Sequence, residues 1–115
     1  MTDALDLSLP EAEAHSLTEV GVLLDQARQN RNAGAIASAL DRNLQVWTAM
    51  KTVALRQDVM IPDLVRANLI RLAEFVAATT MKDGVNISDE TINTLININF
   101  QISEGLLEGQ RARQG

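Results

Sequence analysis

Apolar residues recur along this chain mostly at helical spacing. Leu17, Val20, Leu24 and Ala27 form an i, i+3, i+4 stripe. At 100° per residue, Ile36, Leu40, Leu44, Trp47, Met50 and Ala54 fall within an arc of roughly 120°, and Asn43 falls inside that arc. Leu64, Val65, Leu69, Leu72, Phe75 and Val76 face one way, and Asp63, Ala67, Arg71, Glu74 and Ala78 the other. One stretch breaks the rule. In LININFQI, residues 95–102, the apolar Ile96, Ile98, Phe100 and Ile102 alternate with Asn97, Asn99 and Gln101, the pattern of a strand with one wet face.

The flanks decide for helix. Ser88 is a good N-cap, and Asp89 and Glu90 follow where the helix dipole favours acids. Helical phasing gathers Ile92, Leu95, Ile96, Ile98, Phe100, Ile102, Leu106 and Leu107 on an arc of roughly 200°. Asn93, Asn97, Gln101, Glu104 and Glu108 then form the polar face, whereas a lone strand would have nothing to pair with. On this helix Asn99 lies near the middle of the apolar arc, with Ser103 beside it. So wide an arc is more than one neighbour covers. The helix is expected to lie between two others or to offer one edge to a partner.

Three turn-rich stretches, NRNAG at 30–34, DVMIP at 58–62 and DGVNIS at 83–88, divide the chain. They predict helices over about 10–29, 34–57 and 62–82 and a fourth from Ser88 onward. Pro10 and Pro62 sit where helices begin, and Gly84 is a left-handed stop. Connections this short make neighbours antiparallel. The expected architecture is all-α: a four-helix, bundle-like single domain over 10–110, with flexible ends at 1–9 and 111–115.

Composition narrows the chemistry. The 115 residues carry a net charge of −5, which weighs against direct nucleic-acid or anionic-lipid binding. No cysteine and no tyrosine are present, and His15 is the only histidine, so thiolate chemistry, sulfur-ligated metals and multi-histidine sites are unavailable within one chain. A non-enzyme without cofactor or metal is expected. The acidic start and the absence of a long apolar run point to neither a secretory signal nor a membrane span, leaving a cytoplasmic protein as the default.

Individual residues carry two readings. Asn43 and Asn99, each on an apolar arc, are expected to satisfy one another or loop backbone, because a buried unpaired amide costs about 1–3 kcal/mol. The sharper alternative is that one of them meets a partner's backbone. Trp47 is a core anchor or a hot spot for a peptide, and Arg66 is a solvated or ion-paired arginine or a clamp on a partner carboxylate. His15 reads as surface, Asp89 and Glu90 as capping acids, and Arg111 and Arg113 as part of a fraying tail.

Three segments, in order, resemble the FlaF family of flagellar regulators. ALDRNLQVW at 39–47 is similar to its "AL…N…LW" segment, IPDLVRANLIRLAEFV at 61–76 to its "LP…LRA.L..L..FV" segment, and LININFQISEGLL at 95–107 to its "LI.IN..I..GL" ending. Val46, Ile61 and Phe100 stand where that pattern has Leu, Leu and a polar or basic residue. The resemblance implies a small, cytoplasmic, all-helical, non-catalytic protein of α-proteobacterial flagellar systems. It would bind flagellin, promote its synthesis and export, and work opposite the translational repressor FlbT. Partner contacts are then expected along Leu44, Trp47, Arg66, Ile98, Phe100 and Leu107. Two other readings are a post-transcriptional regulator acting on flagellin mRNA with FlbT, and a structural homodimer.

Overall fold

The computed structural model describes the backbone of residues 2–57 and 61–114 and the side chains of residues 12–57 and 61–109. Four helices follow one another: α1 (Thr2–Asn30), α2 (Ala33–Leu55), α3 (Asp63–Asp83) and α4 (Asp89–Gln114), with a single 3-10 turn at Gly84–Asn86 ahead of α4. Residues 95–102 lie wholly within α4, so LININFQI is helix and its alternation follows from a very wide apolar arc. No strand occurs among the described residues. The fold is an all-α bundle.

Local chemistry explains most boundaries. Asn32 caps α2 by accepting a hydrogen bond from the Ala35 amide at 3.0 Å. Arg31, just before it, adopts φ 50, the left-handed conformation that turns the chain between α1 and α2. Gly84 takes φ 51 past the end of α3, a positive value that glycine adopts without a Cβ penalty. Ser88 accepts from the Thr91 amide at 3.1 Å, while Ile87 and Ile92, the residues that staple a capped helix, are both 1% exposed.

α1 starts at Thr2, well ahead of the expected start near Pro10, and α4 continues to Gln114. Pro10 is thus an interior residue of α1 and not its first turn, and having no N–H it donates no i→i−4 bond there. The flexibility expected of 1–9 and 111–115 concerns segments whose side chains lie outside the described residues. So do Asp58, Val59 and Met60 of the DVMIP turn.

The core lies where α1, α2 and α4 meet. Leu17, Val20, Leu24 and Ala27 of α1 are buried together with Ile36, Leu40, Trp47, Met50 and Ala54 of α2 and with Ile92, Leu95 and Ile96 of α4. α4 runs antiparallel to α1: Arg31 reaches Ile87, whereas Ala14 lies beside Ser103. α1 also packs on α2, and α3 packs on the other flank of α2. Twenty-nine residues at about 1.5 Å each give α1 a length of ~43 Å, which matches the longest dimension of the molecule, 43 Å.

α3 departs from expectation. Of its six-residue apolar face only Leu69 and Val76 are buried; Ala73 joins them, and Leu64, Val65 and Phe75 stay exposed. The cause is neighbour number. α3 rests mainly on α2, so a narrow strip suffices, and periodicity cannot reveal how many neighbours a helix has. The polar face of Asp63, Ala67, Arg71, Glu74 and Ala78 is exposed throughout.

Candidate functional site

The three core helices are pinned by a buried polar seam. Trp47 Nε1 donates to Asn99 Oδ1 at 2.8 Å, and Asn99 Nδ2 donates to Asn43 Oδ1 at 2.8 Å and to the Leu17 carbonyl at 3.4 Å. The indole can only donate, so it fixes the amide oxygen of Asn99 toward Trp47 and the amide nitrogen toward Asn43, which must answer with its oxygen. One turn along α4, Ser103 Oγ donates to the Ala14 carbonyl at 2.8 Å. Its single proton is then used, and Thr18 Oγ1, 2.8 Å away, is the donor to Ser103. Asn43 Nδ2 remains a buried donor without a partner.

This geometry redistributes the residues expected to touch a partner. Trp47 is 0% exposed and sits in the core, so it has no surface to offer as a hot spot. Arg66 donates through Nη1 to the Ala54 carbonyl and, at 2.7 Å, to the Arg56 carbonyl. It satisfies the open carbonyls at the end of α2 and is not held out as a clamp. Leu44, Ile98 and Leu107 are half-buried. Ile98 packs against the core, together with Ile102 and Leu106 of the same helix.

Phe100 is 38% exposed, and its ring lies over Gly21. A Cβ on Gly21 would come within 2.7 Å of the ring's Cε1, so α1 and α4 approach closely at a point where only hydrogen fits without movement. Two residues apart on a helix, Ile98 and Phe100 point about 160° from one another. They lie on opposite edges of α4, and the single docking edge expected from the sequence is two edges.

α3 and α4 leave a gap between them. A groove of about 420 Å³ lies there, lined by Phe75, Ala78, Thr79, Lys82 and Asp83 of α3 and by Thr91 and Thr94 of α4. Ile98 follows Thr94 by four residues on the same strip of α4. The Asn43–Asn99 bond brings the adjoining Leu44 and Ile98 to the same level of the bundle. Phe75, which the sequence put on the apolar face of α3, is thus a groove wall. The threonines carry no periodic signal, and only the packing of α3 could have found them.

Charged groups are arranged around this frame as surface ties. Arg31 Nη2 meets Asp89 at 2.7 Å and Nη1 donates to the Ile87 carbonyl at 3.1 Å, holding the α1–α2 turn to the start of α4. Glu19 lies between exposed His15 at 3.6 Å and Arg42 at 3.5 Å. Burial raises the carboxyl of Glu13 above its ordinary value of 4.5. Among the described residues no group of three or more His, Cys, Asp or Glu could hold a metal ion. No helix there is long and apolar enough to cross a membrane.

The family model for the flagellar protein FlaF matches residues 6–106. That span takes in all of the three segments quoted from the sequence but the final Leu107, and every residue of the polar seam and the groove. No curated protein and no solved structure matches the chain. With nearly its whole length matched, the chain belongs to the FlaF family of flagellar proteins.

Proposed function

We propose that this protein is a non-catalytic, cytoplasmic flagellar regulator that binds flagellin and supports its synthesis and export, with the α3–α4 groove as the docking site. The observation that supports this reading is the groove itself, in a chain of a flagellar family. Phe75 supplies an aromatic wall and threonines supply a narrow polar rim, and half-buried Ile98 lies one turn beyond Thr94 along α4. An amphipathic helix of an unassembled filament subunit fits such a surface through residues at i, i+3, i+4 and i+7. An effect on flagellin mRNA would then be indirect, through competition or cooperation with an FlbT-type repressor, since a chain of net charge −5 suits RNA poorly.

Co-purification of flagellin with the intact chain tests the proposal. Thr94→Arg, which fills the groove from an exposed position, is expected to abolish capture while far-UV circular dichroism stays helical. Phe100→Asp, on the opposite edge of α4, is expected to leave capture intact. If Thr94→Arg captures flagellin as the wild type does, the groove is not the site. If Phe100→Asp alone abolishes capture in a folded protein, the α1–α4 edge is.

A further inference from the structure

The exposed side of α3 carries a second pattern. Leu64, Ala67, Arg71, Glu74, Ala78 and Met81 follow one another at steps of three, four, three, four and three residues, the spacing of a coiled-coil seam. None is covered by the bundle: Leu64 is 87% and Met81 83% exposed, and the other four are exposed as well. These are not scattered surface residues, because the order is palindromic with the charge inverted. Read from either end toward the middle, the seam runs large apolar, alanine, charge.

We propose that α3 is a self-association seam that pairs antiparallel with α3 of a second copy of this chain. Antiparallel pairing about a two-fold axis between residues 72 and 73 sets Leu64 against Met81, Ala67 against Ala78 and Arg71 against Glu74, each pair occurring twice as an isologous interface requires. Outside these layers the same register places Asp63 opposite Lys82. The match in charge singles out a second copy as the occupant, since one register pairs Arg71 with Glu74 and Asp63 with Lys82 at once. The alanine layers let the helices approach closely. Large apolar residues at both ends of a helix ~30 Å long supply the burial.

Among the described residues Arg71 has no ion-pair partner of its own. Glu74 lies 3.6 Å from Lys51, a pair on the outside of the bundle. In the pair of copies Glu74 sits between that lysine and the second copy's Arg71. The seam faces away from the buried strip of Leu69, Ala73 and Val76, so forming it disturbs nothing inside. It shares only Ala78 and Lys82 with the groove.

Light scattering of the full chain over a concentration series, up to about 1 mM, tests the seam. The wild type is expected to pass from monomer to dimer. Arg71→Glu sets carboxylate against carboxylate at two layers and is expected to weaken the dimer at least ~10-fold, and the double variant Arg71→Glu with Glu74→Arg to restore it to within ~3-fold. A wild type that stays monomeric throughout, or an Arg71→Glu variant that dimerises equally well, overturns the proposal. The absence of native cysteine allows a geometric check. Ala67→Cys mixed with Ala78→Cys is expected to give a mixed disulfide on oxidation, while Ala67→Cys alone gives none. The reverse outcome means a parallel pairing and overturns the register.

Discussion

The indole nitrogen of Trp47 and the amide oxygen of Asn99 are 2.8 Å apart, and both residues are wholly buried. This bond joins α2 to α4 at the centre of the core and orients every other amide in the seam. Asn99 is therefore the hub, touching Trp47, Asn43 and the Leu17 carbonyl, whereas Asn43 makes one bond and holds one unpartnered donor.

That asymmetry predicts unequal costs. Asn99→Leu strands the Trp47 N–H and the Asn43 oxygen in an apolar core and is expected to destabilise the protein by about 2–6 kcal/mol, two unpaired groups at about 1–3 each. Asn43→Leu removes an orphaned donor along with one bond and is expected to cost less than about 1 kcal/mol. Urea denaturation of both variants checks the order, and an Asn43→Leu change as damaging as Asn99→Leu would contradict the hub assignment.

Gly21 and Phe100 form a second coupled pair. Gly21→Ala gains about 1 kcal/mol of helix propensity but drives a Cβ into the ring, and overpacking of this kind costs about 1–3 kcal/mol. The single variant is expected to be neutral to mildly destabilised. In a Phe100→Ala background the same change is expected to stabilise by about 1 kcal/mol. Additive effects in thermal unfolding would mean that the ring does not rest on the glycine.

Arg66 bridges the start of α3 to the last carbonyls of α2. Arg66→Ala is expected to lower stability by about 1–3 kcal/mol, the range for hydrogen bonds from a charged donor. It should leave flagellin capture unchanged at a temperature where the variant is folded. A capture defect without a stability defect would return Arg66 to the role of partner clamp.

Glu13 sets a pH dependence. Burial raises its carboxyl above 4.5, so between that value and the raised one the folded state holds a proton that the unfolded state has lost. Stability from this group is fully present below pH 4.5 and declines as pH rises through the raised pKa. Glu13→Gln is expected to flatten that decline and to exceed the wild type in stability at pH 7 while matching it near pH 4. Parallel curves for the two proteins in guanidinium titrations at both pH values would exclude the effect.

Periodicity and capping made most of the fold legible. The stripe of Leu17, Val20, Leu24 and Ala27 is buried as spaced, Ser88 caps α4, and Gly84 takes positive φ. These are local consequences of backbone geometry, so a short window of residues contains them. That Asn99 falls on the dry side of a helix was equally plain, because phasing alone requires it.

What the chain order leaves open is which helix meets which, and how many neighbours each one has. Trp47 and Phe100 are both aromatic residues on apolar arcs, yet one lies at the centre of three helices and the other on a glycine at the rim. Phe75 and Val76 are adjacent on one predicted face, yet only Val76 meets a helix that covers it. The sequence by itself determined four helices, the Ser88 cap of α4 and the polar residues that would be buried, since each follows from spacing along one element. Tertiary structure alone decided that α4 returns to α1, that α3 rests mainly on α2, and so where the groove opens, because burial is set by residues far away in sequence.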